Sequence, residues 1–214
     1  MSSILIIGGH GKVALRLAPI LVARGDAVTS IIRNPDQSDT VAETGATPHV
    51  ADVSSLDDQA LADLFRGHDA VVWTAGAGGG SAERTYAVDR DAAIRSMDAA
   101  KAAGVRRYVM VSYLGSKRDH GVPEDNSFYA YAEAKSIADE HLRGTDLDWT
   151  ILAPGPLTLD EPTGLISVAD PGDGRVSRAD VAGVAAAALA DPSTVGRTIA
   201  FGNGETPIAD AIQG

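Results

Sequence analysis

The 214-residue chain has no cysteine. Disulfide bonds, a thiolate nucleophile and cysteine-ligated zinc are thereby excluded, and the absence fits a reducing compartment. Gathered positive charge is equally scarce. Eighteen Lys and Arg stand against 29 Asp and Glu, a net charge of -11, and no basic run is longer than Arg106-Arg107. A general nucleic-acid binder needs Lys and Arg clustered along a phosphate track, so nucleic acid is not an expected partner. Long apolar runs are missing too, since nothing approaches the ~18 uninterrupted apolar residues of a membrane span. The run at the N-terminus, Ile4 to Ile7, is short, follows no Lys or Arg and meets glycines at once, unlike a signal peptide. A soluble, cytoplasmic protein without membrane contact is expected. The five histidines, His10, His49, His68, His120 and His141, share no ligand spacing, so no metal site is expected. No G-x-S-x-G elbow offers hydrolase chemistry.

What the chain has is alternation of short apolar runs with helical patterns. Strands are predicted at "ILII" (4–7), "AVTSII" (27–32), "PHVAD" (48–52), "AVVWTA" (70–75), "RYVMVS" (107–112) and "DWTILA" (148–153). Helices are predicted over 12–23, about 36–44, 56–65, 83–103 and 128–142, most with a glycine just past the end. Strands this apolar, separated by helices, belong to a parallel sheet covered on both faces. The fold class is therefore α/β, a doubly wound Rossmann sheet in a single domain over residues 1–214. Regularity stops near Pro154; "LISVA" (165–169), a helix over 178–189 and "RTIAF" (197–201) follow. Residues from about 155 to 214 are expected to form a small cap on the substrate side. The helix over 83–103 offers a surface for a homodimer.

The glycine cluster follows the first strand and opens the first helix: Gly8, Gly9, His10, Gly11, Lys12, Val13, Ala14. In Gly8-x-x-Gly11-x-x-Ala14 the first glycine allows a tight turn, the second lets backbone N–H groups approach a pyrophosphate, and Ala14 permits close helix-to-strand packing. A helix N-terminus then offers free N–H donors and partial positive charge to the anion. His10 and Lys12 add charge nearby. Which dinucleotide binds depends on the end of the second strand, where an acidic residue would take the ribose hydroxyls. Arg33 stands there, twenty-two residues after Gly11, and a guanidinium suits a 2′-phosphate. NADP(H) is favoured, with NAD(H) the alternative. Asp52 and Val53, after the third strand, are placed to border the adenine, although Asp52 also suits a turn cap. A second glycine run, "TAGAGGG" (74–80), ends the fourth strand, which neighbours the first.

Tyr131-x-x-x-Lys135 puts a phenol and an ammonium on one helix face. A nearby ammonium is expected to lower the phenol's pKa so that Tyr131 exchanges a proton with a carbonyl or alcohol oxygen. Ser112, at the end of the fifth strand, is placed to donate a hydrogen bond to the same oxygen. Asp89 and Asp91 are expected to stabilise the N-terminus of their helix.

Taken in order, the blocks "IIGGHGKVA", "IIRNPDQ", "ADVSSLDDQALADLFRGHDAVVWTAGAGG", "VDRDAAIRSMDAAKAAGVRRYVMVSYLG", "YAEAKSIADEHLRGTDLDWTILAPG" and "VSRADVAGVAAAAL" carry a likeness over nearly the whole chain. The chain resembles the short-chain dehydrogenase/reductase superfamily, in its atypical NAD(P)H-binding branch of NmrA-like and biliverdin-reductase-B-like proteins. The resemblance implies that Gly8, Gly11 and Arg33 hold the cofactor's phosphates and that Asp52 and Val53 edge the adenine. It implies that Ala75 and Gly76 flank the middle of the cofactor, that Ser112, Tyr131 and Lys135 are the reactive group, and that Pro154 and Gly155 lie near the nicotinamide. Ala14 replaces the commoner glycine, and Ala153 stands where relatives often carry Arg. The expected function is hydride transfer from NADPH to a small carbonyl-type or related acceptor. The alternatives are a non-catalytic NADP(H)-sensing protein and, disfavoured by the short tail after Pro154, an NAD-dependent sugar epimerase or dehydratase.

Overall fold

The computed structural model describes residues 1–168 and 174–213. β1 (Ser3–Ile7) leads into α1 (Ala14–Ala23) and β2 (Ala27–Ile32); a 3-10 turn (Pro35–Gln37) runs into α2 (Ser38–Ala42), followed by β3 (Thr47–Val50), α3 (Asp58–Phe65) and β4 (Ala70–Trp73). Next come α4 (Ala82–Thr85), a π-helical segment (Tyr86–Ala92), α5 (Ala93–Ala103), β5 (Arg107–Val111), α6 (Tyr129–Arg143) and β6 (Asp148–Pro154). The C-terminal part holds β7 (Leu157–Thr158), β8 (Leu165–Ser167), β9 (Val176–Ser177), α7 (Arg178–Ala190), β10 (Arg197–Asn203), β11 (Thr206–Pro207) and α8 (Ile208–Ala211). Ala169, the last residue of the predicted "LISVA" strand, lies outside the described residues.

The main sheet runs β3-β2-β1-β4-β5-β6-β10-β8-β11. Pairings from β3 through β10 are parallel, and β8 and β11 join antiparallel. Side chains alternate between the two faces because successive residues of a strand point opposite ways. In β1, Ile4 and Ile6 pack with Leu17 and Leu21 of α1 and Val181 and Ala185 of α7. Leu5 and Ile7 pack on the other face with Leu61 and Phe65 of α3 and Met97 of α5. Both faces are thus covered, as the unbroken apolar strands demanded. Strand order reverses between β1 and β4, which leaves a crevice at their carboxyl ends.

The tail divides. β10 pairs with β6 and so widens the sheet, whereas β7 and β9 form a separate parallel pair. The predicted helix over 83–103 begins at Ala82, where the Ser81 hydroxyl accepts the Arg84 N–H, and is interrupted by the π-helical segment. One face of it is buried, through Ala93, Ser96, Met97, Ala99 and Ala100, where α5 packs on α3 and α6, and Asp91, Asp98 and Lys101 are exposed.

Candidate functional site

Gly8 turns with φ +86°, a left-handed conformation, and a Cβ there would stand 2.6 Å from the Ala75 Cα. The chain end of β1 therefore passes β4 at backbone contact, possible only for glycine. Thr74 fixes the same junction by donating its hydroxyl to the Ile7 carbonyl at 2.9 Å. The Gly11 N–H bonds the Gly8 carbonyl at 2.8 Å, closing the turn, while the N–H groups of Lys12, Val13 and Ala14 donate to no backbone carbonyl among the described residues. Lys12 and Val13 line the crevice at the start of α1, where such open donors suit an anion.

A cavity of about 660 Å³ occupies the crevice. Gly8, His10, Gly11, Lys12, Val13, Arg33, Asp52, Val53, Ala75 and Gly76 all line it, bringing together residues from four loops. Arg33 is exposed and has no hydrogen bond or ion pair among the described residues, so its guanidinium is free to meet a phosphate. Asp52 borders the cavity and also organises its own loop, Oδ1 accepting the Ser54 N–H at 3.0 Å and hydroxyl at 2.6 Å. Gly9 and Pro154 do not line it. Gly9 is a packing residue, since a Cβ would lie 2.5 Å from the Ser30 Cβ. Pro154 ends β6, buried, its carbonyl accepting the Leu114 N–H at 2.7 Å. Gly155 is also structural: a Cβ would overlap the Gly174 carbonyl, 1.6 Å away. Pro154 and Gly155, which the resemblance implied near the nicotinamide, thus also make close contacts within the protein.

A second cavity, about 390 Å³, adjoins the first through Gly76 and Gly78 and is lined by Asp89, Phe128 and Tyr131. Tyr131 stands in an aromatic group, its ring 5.2 Å from Phe128 and 5.4 Å from Tyr113. Lys135 is buried beneath it and donates from Nζ to the Val111 carbonyl at 2.8 Å, with Met110 Sδ at 3.4 Å. Ser112 donates to Asp139 Oδ2 at 2.5 Å, and Ser116 to the same oxygen at 2.6 Å. Asp139 Oδ1 and the Tyr113 hydroxyl are buried without a partner among the described residues.

Two expectations change here. Burial, then the carboxylates of Asp89 and Asp139, then Tyr113, push the Tyr131 phenol well above its ordinary pKa of 10.0. The Lys135 ammonium does not lower it, because Lys135 is turned to Val111 and acts through space on Asp89. Ser112, with its proton committed to Asp139, turns lone pairs rather than a hydrogen toward its surroundings.

Asp89 is the largest surprise. It is buried within the π-helical segment, not at a helix N-terminus, and its Oδ2 accepts the Ala77 N–H at 3.0 Å. Burial raises its pKa, a shift that Lys135 and the Ala77 bond oppose. Arg84 and Arg178 also line the larger cavity unforeseen, the latter tied to the Leu157 and Thr158 carbonyls. Asp89 had a visible signal: with Ala93 and Ser96 it follows helical spacing along a buried face, where a carboxylate is out of place. The two arginines had none.

A family model described as NAD(P)H-binding matches residues 8–192. The chain belongs to this NAD(P)H-binding family. Membership bears out the resemblance read from the sequence. A UPF0659 protein of Saccharomyces cerevisiae is 34% identical, aligned over 97% of this chain and 96% of its own. A solved Bacillus halodurans protein, described as an NAD-dependent epimerase/dehydratase, is 33% identical with a TM-score of 0.89 and covers 99% of both chains. The oxidoreductase YlbE of Lactococcus lactis is 28% identical with a TM-score of 0.87, covering 98% of this chain and 94% of its own. Among the described residues no helix is long and apolar enough to cross a membrane.

Proposed function

We propose that this protein is an NADPH-dependent oxidoreductase that reduces a small carbonyl-type acceptor, with Tyr131 as the proton donor. The observation that carries the reading is the adjacency of the two cavities, one bordered by open N–H groups and an unpaired guanidinium, the other by a protonated phenol. The donor set fits the cofactor: Lys12, Val13 and Ala14 N–H groups for a pyrophosphate, Asp52 and Val53 for the adenine, Arg33 for a 2′-phosphate. Bound there, a dihydronicotinamide supplies hydride. Tyr131 keeps its proton at neutral pH and releases it to the acceptor oxygen as negative charge develops there. Lys135 holds the end of β5 against α6 and balances Asp89, and Ser112 fixes the same strand end through Asp139.

The oxidoreductase naming of the Lactococcus lactis relative supports this reading. The epimerase/dehydratase description of the Bacillus halodurans relative points elsewhere, but the cavity beside Tyr131, about 390 Å³, suits a small acceptor better than a nucleotide sugar. A second reading, a protein that binds NADP(H) without turnover, is favoured by one observation: Ser112 and Lys135 spend their donors on the protein itself. NADPH titration and NADPH oxidation across a carbonyl and quinone panel, in wild type and Tyr131→Phe, separate the two. Turnover lost with binding retained supports the oxidoreductase. Binding with equal oxidation by both forms, or with none by either, removes Tyr131 chemistry and leaves the binding protein.

A further inference from the structure

Asp89 has a feature that proton donation by Tyr131 leaves unused. The carboxylate is 1% exposed, yet only Oδ2 is engaged, by the Ala77 N–H. Oδ1 makes no hydrogen bond among the described residues and lies 3.2 Å from where a Cβ on Gly76 would stand. Gly76 lines both cavities, and Asp89 lines the second with Tyr131, so the free oxygen faces the space beside the proton donor. A carboxylate oxygen that borders a cavity and has no protein donor is open to a donor supplied by a ligand. The carboxylate sits in a π-helical segment, a distortion that recurs at functional sites.

The chemistry of the missing partner is constrained from three sides. An anion is disfavoured by the carboxylate itself. A cation is not required, because the buried Lys135 ammonium already offsets the charge on Asp89. The remaining walls are glycine, alanine, Thr85, Ser127 and the rings of Phe128 and Tyr131. What the site lacks is one neutral hydrogen-bond donor, placed next to the oxygen that Tyr131 protonates. Resting on the carbonyl-reductase reading, we infer that the acceptor is an uncharged α-hydroxy ketone or aldehyde whose hydroxyl donates to Asp89 Oδ1.

Ligand-observed NMR titrations of the NADP⁺-saturated protein, repeated without NADP⁺, test this with hydroxyacetone, acetone and pyruvate. Hydroxyacetone is expected to bind at least about tenfold tighter than acetone, the worth of one hydrogen bond to a charged group, and pyruvate weakest. In Asp89→Asn the amide oxygen keeps the Ala77 N–H and its NH₂ turns to the cavity. The hydroxyl preference then falls below about threefold and pyruvate gains about tenfold. Asp89→Ala removes the preference without the gain. Hydroxyacetone and acetone bound equally by wild type, a preference that survives both substitutions, or no binding of any of the three overturns the assignment. Turnover is scored separately. Preferred binding of hydroxyacetone without NADPH oxidation retains the Asp89 site and overturns the reductase reading, and reduction of acetone and hydroxyacetone at equal efficiency with equal binding does the reverse.

Discussion

The two halves of the site are built on opposite principles. The dinucleotide cavity is made of backbone and of charges that have no partner: a turn closed at Gly8, amides of Lys12, Val13 and Ala14 open at the start of α1, and Arg33 free at the end of β2. The acceptor side is made of buried side chains that mostly satisfy one another, Ser112 and Ser116 on Asp139 and Lys135 on Val111, with Tyr131, Tyr113 and Phe128 packed against them. The first is open for a ligand as it stands. The second is a rigid support in which, among the described residues, few polar groups are left without a partner: the Tyr131 hydroxyl and Asp89 Oδ1 at the cavity, and the buried Tyr113 hydroxyl and Asp139 Oδ1.

The contrast breaks most severely at Gly8. Gly8→Ala forces a side chain into a left-handed turn and onto the Ala75 backbone, so NADPH affinity is expected to fall by more than about 100-fold, with a lowered melting temperature. Calorimetric titration and thermal melting measure the two. Affinity within threefold of wild type would mean that the turn does not hold the phosphate. Tyr131→Phe acts on the other half alone: kcat is expected to drop about 10²- to 10⁴-fold while NADPH affinity stays within about threefold. Tyr131 also sets a pH expectation. Its folded pKa lies above 10.0, so the phenol stays protonated through neutral and mildly alkaline conditions; the stability from burying the neutral form is present below pH 10 and lost as pH rises above it. The rate profile of wild type should therefore show no Tyr131 limb below pH 10, and a limb near pH 7 or 8 would contradict the environment described for it.

The same division explains what could be seen in the sequence. β1, β2, β4, β5 and β6 were legible because each is buried on both faces and so nearly continuously apolar, and Gly8, Gly11 and Arg33 because their places are counted along the chain from β1 and β2. The acceptor side was harder. Lys135 and Asp139, four apart on α6, look like a solvated surface pair, yet both are buried and bind β5 and its loop rather than each other. Asp89 reads from its neighbour Asp91 as a helix-terminal carboxylate, yet its spacing to Ala93 and Ser96 puts it on the buried face of the helix. Arg84 and Arg178 come from segments far apart in the chain, and only the folded arrangement brings them to one cavity.

Arg33 sharpens the comparison at smaller scale. Removing it leaves the turn and the amides intact, so Arg33→Ala should change selectivity more than affinity for the common part of the cofactor. The ratio of NADPH to NADH affinity is expected to fall about 10- to 100-fold, the worth of one or two charge-assisted hydrogen bonds. Paired titrations with both nucleotides decide it, and an unchanged ratio would detach Arg33 from the 2′-phosphate.

The smallest effect is expected where the acceptor side holds itself together. Asp139 is the shared acceptor of Ser112 and Ser116, and its replacement by alanine strands two hydroxyls in a largely enclosed place. Leaving such donors unpaired costs about 1–3 kcal/mol, which for a chain of this size lowers the melting temperature by several degrees. NADPH affinity should be unchanged, because Asp139 does not line the dinucleotide cavity. If instead Asp139→Ala melts like wild type but loses turnover, Asp139 acts on the reaction rather than on the support beneath it, and the buried Oδ1, with the unpaired Tyr113 hydroxyl near it, becomes a second place where this half of the site handles protons.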